Sequence, residues 1–389
     1  MPPRRRVEPP PRRWPPIVLL VLGVLAGAML WAYAPTLPPD LLVERYADER
    51  SRFLDIGGAR AHVREEGNPD GMPIVLLHGS LASLHVWEGW TAALKDRARL
   101  ISVDLPGHGL TGAWPRDEYT IDAYADFVEV LVDVLHLDRF AIVGHSMGGA
   151  VAWTFAATRP DRVSHLILVD AAGYPRQGEA PLSLRVARLP VLGGLSLWFH
   201  PEMLIRRSLK DMYADPKEAT PERVVRYSDL QRFPGNREAM LQRLRTQEPL
   251  DPTPLKRLNV PTMILWGAKD RWSSPAIGAR FQRDIKGARL KVLEKLGHNP
   301  MEEDPIASAV VVDAFLPASL VPPAPLPAPP AETTQDVIPP SDTLNDAPPL
   351  EIPLPPTAEE LMIVVPLPPP TSATTDEPAA DSIPKAGRN

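Results

Sequence analysis

Two spacings of apolar residues alternate along the middle of the chain. Short runs that are apolar at almost every position recur at PIVLLHG (73–79), RLISVDLPG (99–107), FAIVG (140–144), HLILVDAAG (165–173), PTMILWG (261–267) and ARLKVLEKL (288–296). Continuous runs of this kind, several ending in glycine, predict strands buried on both faces. Between them lie stretches with helical spacing: 82–94, the 3.6-periodic IDAYADFVEVLVDVLHL (121–137), a glycine-rich helix start after 144, and 305–316. A hairpin, FLDIGG then ARAHVREEG with its turn at Gly57-Gly58, precedes them. Strands and helices in this alternation predict right-handed crossovers and an α/β fold, a mostly parallel sheet flanked by helices. Ligands then belong in the loops at the carboxyl ends of the strands.

The alternation breaks between about 174 and 250. Arginine-rich helical text fills this stretch, including LSLRVARLPVLGGLSLWFHPEMLIRRSL, before strand text resumes at 261. A helical insertion after the sixth strand that returns to the same sheet reads as a lid.

The flanks follow other rules. Residues 17–34, IVLLVLGVLAGAMLWAYA, carry no charge, and as a helix they would span about 27 Å, close to the roughly 30 Å hydrocarbon core of a bilayer. Trp14, Trp31 and Tyr33 mark the ends, and Arg4, Arg5, Arg6, Arg12 and Arg13 precede the run. The expectation is a transmembrane signal anchor at 17–34 behind a cytoplasmic Arg/Pro-rich segment, 1–16. The domain at 50–317 is then periplasmic or otherwise extracytoplasmic, held at the inner membrane. Cleavage as a signal peptide is the rival, since Ala32-Tyr33-Ala34 has the small-x-small form, but Pro35 follows directly. Gly23 and Gly27 form a GxxxG, a weak pointer to helix pairing. Residues 318–389 have ten acidic and two basic residues, dense proline and no helical or strand period. They are expected to form a disordered acidic tail, with LMIVV (361–365) as its one docking candidate.

Composition narrows the chemistry. The 389 residues include 49 prolines and no cysteine, with a net charge of -6. Disulfides, thiolate metal sites and a cysteine nucleophile are excluded. The charge gives no sign of a nucleic-acid partner, the histidines are too scattered to suggest a metal site, and no cofactor is expected.

Within AIVGHSMGGAV (141–151), a buried strand ends at Gly144, Ser146 stands at the tip of a turn, and a helix begins behind it. Gly144 and Gly148 remove side chains that would collide in so sharp a turn, leaving the hydroxyl exposed. The helix N-terminus favours negative charge, and the Met147 backbone N–H points to where an oxyanion would form. This is the GxSxG nucleophile elbow. A serine needs a base and the base an orienting acid. Asp270 lies just past the strand TMILWG and His298 just past LKVLEKL, in the chain order Ser, Asp, His. Asp170, at the end of HLILVDAAG, is an alternative acid. The structural readings are a helix cap for Ser146, a turn residue for Asp270 and a surface histidine for His298. His78, His108 and His145 read as braces around the site, and Asp104 and Gly107 as turn architecture.

Residues 53–316, with HGS, DLPGHG, GHSMGG, WGAKD and GHNP in order, resemble the alpha/beta-hydrolase superfamily, in particular its serine esterases and lipases with a helical lid. The resemblance implies that the Ser80 backbone N–H is the second oxyanion donor. It also implies a carboxylic-ester hydrolase working through an acyl-enzyme on a small-molecule ester; with the anchor at 17–34, a membrane-anchored enzyme acting on a lipophilic ester is expected. Serine at the elbow sets the chain apart from the dehalogenase and epoxide-hydrolase branches, which carry aspartate there. Hydrolases of carbon–carbon bonds in ring-fission products share GxSMGG and the lid but often carry Trp after the histidine, where this chain has Asn299-Pro300. Haloperoxidase-like enzymes use such a triad too. From another class, a non-catalytic envelope scaffold would bind through the proline-rich tail. Leu182, Leu184, Leu189, Val191, Leu192, Leu195, Leu197, Trp198 and Phe199 are candidates to line an acyl pocket for medium or long chains. Arg185, Arg188, Arg206 and Arg207 would suit an anionic substrate instead.

Overall fold

Eight strands form one sheet: β1 (Ser51–Ile56), β2 (Ala59–Gly67), β3 (Met72–Leu77), β4 (Ala98–Val103), β5 (Phe140–His145), β6 (Val163–Val169), β7 (Thr262–Gly267) and β8 (Arg289–Leu293). Their order is β1-β2-β4-β3-β5-β6-β7-β8. The pairs β1/β2 and β2/β4 are antiparallel, and every pair from β4/β3 onward is parallel. The computed structural model describes residues 16–175, 188–189, 193–194, 197–198, 202–246 and 248–317.

The predicted hairpin forms with Ile56 opposite Ala59. Gly57 and Gly58 both have positive φ, 57° and 85°, which a two-residue turn matched to strand twist requires. Apart from β5, each later strand is shorter than its apolar run. The leftover residues (His78-Gly79, Asp104-Leu105, Asp170-Ala171, Leu296-Gly297) lie past the last ladder pair and form the loops where chemistry gathers.

The helices are α1 (Pro16–Ala32), α2 (Pro39–Tyr46), α3 (Glu88–Leu94), α4 (Ile121–Val134), α5 (Met147–Thr158), α6 (Glu202–Met212), α7 (Pro221–Gln231), α8 (Asn236–Thr246), α9 (Pro275–Asp284), α10 (Pro300–Glu303) and α11 (Pro305–Phe315). Strand alternation divides the core between the two faces of the sheet. Val75, Leu77, Ile101, Val103, Ile142, Leu166, Leu168 and Ile264 pack with residues of α4, α5 and α9. Ile74, Leu76, Leu100, Val143, Ile167, Val169 and Leu265 pack with α3, α6, α7 and α11. Helices α6 to α8 fall between β6 and β7 in the chain, as an insertion after the sixth strand should.

One expectation is corrected. The segment expected to span a membrane over 17–34 is a 17-residue helix, α1, that stops at Ala32. No helix among the described residues is long and apolar enough to cross a membrane. Its end has a local cause. The Ala34 N–H donates to the Trp198 carbonyl at 2.8 Å, Tyr33 stacks on Trp198, and Arg237 donates to the Ala34 carbonyl at 2.5 Å. Arg232 holds the Pro35 carbonyl at 2.9 Å. These bonds draw residues 33–37 out of the helical path and onto the inserted helices. Residues 1–15, the tail 318–389, Leu182, Leu184, Arg185, Val191, Leu192, Leu195 and Phe199 lie outside the described residues.

Candidate active site

Ser146 occupies the tip between β5 and α5 with φ 50° and ψ -114°. This left-handed conformation is uncommon for a residue with a side chain and is the kind of local strain that accompanies a function. The turn is held on three sides. The Ser146 N–H donates to the Val169 carbonyl at 3.0 Å, while its carbonyl accepts from Gly149, Ala150 and Ala172. Glycine is required where the strands close in: a Cβ at Gly148 would collide with the Leu77 and His78 carbonyls, and one at Gly144 with the Gly148 backbone.

His298 and Asp270 meet as their positions in the chain predict. His298 Nδ1 lies 2.7 Å from Asp270 Oδ2. Asp270 Oδ1 accepts the backbone N–H groups of Trp272 at 2.7 Å and Ser273 at 2.9 Å. With the carboxylate accepting throughout, Nδ1 carries the proton and Nε2 is left as the base. Ser146 and His298 border two cavities in common. Asp270 is seven per cent exposed and His298 three, so the pair is shielded from bulk water.

The HGS turn lies against the elbow. A Cβ at Gly79 would fall 3.1 Å from Ser146 Cβ, and Ser80 Oγ contacts Met147 Sδ at 3.4 Å. Ser80 and Met147, the two candidate backbone donors, thus flank Ser146 from β3 and from the first turn of α5.

Both candidate acids come to the histidine. Asp170, at φ 44° after β6, accepts the Gly267 N–H at 3.0 Å. Ligand-capable atoms of Asp170, Asp270 and His298 lie within 4.8 Å of one another. Burial, then the adjacent Asp270, push the Asp170 carboxyl well above the usual carboxylate range. Geometry gives Asp270 the bond to the imidazole, since its Oδ2 lies 2.7 Å from His298 Nδ1 while Asp170 is bonded to the Gly267 N–H.

The remaining histidines act as braces. His145 Nε2 donates to the His298 carbonyl at 2.8 Å, and burial with the neighbouring His298 holds its imidazole well below the ordinary value. His78 accepts the Leu105 N–H at Nε2 and bonds the Gly79 carbonyl at Nδ1; burial lowers it as well. Asp104 accepts from His62 Nδ1 at 2.7 Å and from the Leu84 and Leu110 N–H groups. Burial alone would raise its carboxyl, but the bond and charge of His62 hold it low. His108 bonds the Pro106 carbonyl within the loop that Asp104 anchors.

The positioning of the histidine loop was not apparent from residue spacing. Glu302 Oε2 accepts from Tyr213 at 2.8 Å, Tyr227 at 2.9 Å and Asn299 Nδ2 at 2.8 Å, joining the loop to α7 and to the residue after α6. Glu303 accepts the N–H groups of Gly297 and Ala214. The one sequence signal was the pair of acids in the first turn after GHNP, where a helix start favours them.

The cavity beside Ser146 on the insertion side has a volume of about 130 Å³ and is lined by Leu204, Ile205, Leu209, Met212, Tyr227 and Gln231. Its wall therefore comes from α6 and α7. Among the described members of the leucine-rich stretch expected to line it, Leu189 and Trp198 are exposed and neither they nor Leu197 reach it. The second cavity, about 490 Å³, is bordered by Tyr174, Ser273, Ser274, Ile277 and Arg280. Of the lid arginines, Arg188 donates to the Leu244 carbonyl and Arg206 pairs with Glu202; neither borders either cavity.

A family model described as "alpha/beta hydrolase fold" matches residues 72–305. An uncharacterized protein of Mycobacterium tuberculosis is 30% identical over 290 residues, covering 68% of this chain and 80% of that one. A monoacylglycerol lipase of Xenopus laevis is 28% identical, covering 77% of this chain and 92% of its own length. Among solved structures, a thermophilic esterase from Thermogutta terrifontis superposes with a TM-score of 0.57 at 26% identity, covering 66% of this chain and 93% of that one. By sheet order, elbow and family match together, the chain belongs to the alpha/beta-hydrolase superfamily.

Proposed function

We propose that the protein is a serine hydrolase that cleaves carboxylic esters through an acyl-enzyme. The observation that carries this reading is the 2.7 Å His298–Asp270 bond at the rim of the cavities that Ser146 borders from a left-handed turn. Ser146 Oγ attacks the ester carbonyl and its proton passes to His298 Nε2. The tetrahedral oxyanion faces the N–H groups of Ser80 and Met147, each donor worth about 2.7–4 kcal/mol in the transition state. On collapse, His298 returns the proton to the leaving alkoxide and the alcohol departs. Water, deprotonated by the same imidazole, then releases the acid. Asp270 keeps the ring in the tautomer that this sequence needs.

The small apolar cavity under the lid takes the acyl group, and the larger, more polar one takes the alcohol portion. The likeness to a monoacylglycerol lipase and an esterase supports ester substrates. The uncharged, exposed helix α1 supports attachment to a lipid surface.

The test is turnover of p-nitrophenyl esters by the wild type and by Ser146→Ala, with fluorophosphonate labelling read by intact mass. Loss of nearly all turnover and of the label in the variant is expected. Equal turnover by both proteins refutes the assignment, and a wild type with neither turnover nor label favours a scaffold built on this fold.

A further inference from the structure

Arg243 is the odd residue of the inserted helices. It lies on α8, is only seven per cent exposed, and its Nε is buried with no hydrogen-bond partner. Among the described residues no carboxylate stands within ion-pair distance of it. Other buried arginines here are matched: Arg64 is bonded to Glu88 and the Tyr46 carbonyl, and Arg237 to the Ala34 carbonyl and Thr36. A buried charge without a partner is strongly unfavourable, and such groups normally find a counter-charge.

The guanidinium borders a cavity of about 450 Å³ between the start of α4, the second half of α5 and the chain after α8. None of its lining residues is shared with the two cavities at Ser146. Trp153, Ile121 and Leu250 give it apolar walls, and Thr154 and Thr158 add hydroxyls along α5. The cavity's own acids, Asp122, Glu248 and Asp251, are all exposed, so they stand at the rim while the cation is buried. Burial draws the guanidinium below the usual arginine value, with the nearby Tyr124 acting weakly the other way. Arg243 thus brings to the wall of a partly apolar cavity a positive charge that no described carboxylate pairs, with a buried, unbonded Nε and His108 close by.

We propose that this cavity is a second ligand site, separate from the catalytic one, in which Arg243 binds the head of a monocarboxylate with a compact apolar body. A planar guanidinium matches a carboxylate through paired N–H donors. The apolar walls take the body, and the acidic rim disfavours ligands with several negative charges. The site does not rest on the ester-hydrolase reading, since Ser146 and His298 take no part in it.

Octanoate is the probe, used with the full chain. Calorimetry with the wild type, Arg243→Met and Arg243→Lys, together with melting curves and p-nitrophenyl ester turnover, tests the proposal. Octanoate should bind the wild type saturably, at least tenfold more weakly to Arg243→Met, and with an intermediate loss to Arg243→Lys. Turnover should be unchanged in both variants. Without ligand, Arg243→Met should melt at or above the wild-type temperature, because an unpaired buried charge is gone, and octanoate should raise only the wild-type value. Octanoate bound equally by Arg243→Met would place the acid at the Ser146 cavity and overturn the proposal. Octanol binding as well as octanoate, or inorganic phosphate binding more tightly, would overturn it too. If Arg243→Met melts well below the wild type or does not fold, and Arg243→Lys binds octanoate undiminished, Arg243 is a packing residue and the proposal fails.

Discussion

Replacing Glu302 tests whether the histidine loop is held by a single buried carboxylate. Its side chain is four per cent exposed. One oxygen receives Tyr213, Tyr227 and Asn299 at 2.8–2.9 Å, and the other lies 3.5 Å from Arg226. Glu302→Leu removes the acceptor and leaves three donors and a guanidinium facing an apolar group. Each buried donor left unsatisfied costs about 1–3 kcal/mol, so the three cost at least about 3 kcal/mol, while Arg226 keeps its pair with Glu88 at 3.1 Å. Arg226 also borders a cavity of about 530 Å³, so water can recover part of its loss. The net expectation is therefore about 3–5 kcal/mol, a third or more of the stability of a typical domain. Glu302→Gln retains an acceptor of the same size and loses only the charge assistance, which roughly doubles the strength of such bonds; about 1–2 kcal/mol is expected. Urea unfolding at neutral pH measures both. Because Asn299 follows His298 directly, kcat on a p-nitrophenyl ester should fall more than KM rises in each variant that folds. An unfolding free energy for Glu302→Leu within about 0.5 kcal/mol of wild type, or a Gln variant as damaged as the Leu one, would refute the reasoning.

Asp170 gives a prediction in pH. Its folded carboxyl titrates well above the usual range, whereas the unfolded one ionises near 3.9. Between these values the unfolded state binds fewer protons, so this residue's contribution to stability falls as pH rises. Asp170→Asn should gain stability relative to wild type from pH 4.5 to pH 8 in urea titrations, and a difference that stays flat would contradict a buried neutral acid. Leu209→Trp should fill the 130 Å³ cavity beside Ser146. Turnover of p-nitrophenyl acetate should then survive while that of the octanoate ester drops at least tenfold, and an equal loss across chain lengths would show that this cavity does not hold the acyl group.

Much of this molecule is local in origin. The hairpin at Gly57-Gly58, the parallel strands and the left-handed turn at Ser146 each follow from a few adjacent residues, because period, glycine and helix start act within one or two turns of chain. The order Ser146, Asp270, His298 was legible for the same reason, each residue standing just past an apolar run. Contacts between distant segments were not. Asp170 and Asp270 were rivals on paper, yet β6 and β7 are neighbours in the sheet and bring both acids to His298, where burial raises the Asp170 carboxyl. The 17–34 run has the composition of a membrane span, but pairing of residues 33–37 with the inserted helices ends it at Ala32. Apolar content pointed to Leu189, Leu197 and Trp198 as cavity wall, whereas packing placed α6 and α7 there. The sequence alone determined the fold, the elbow and the chain order of Ser146, Asp270 and His298, since these depend on short-range stereochemistry and the spacing of apolar residues. Only the tertiary structure decided which acid bonds the histidine, what lines the cavity and that the Arg243 Nε is buried with no hydrogen-bond partner, because burial and charge balance come from side chains that meet only after the chain has folded.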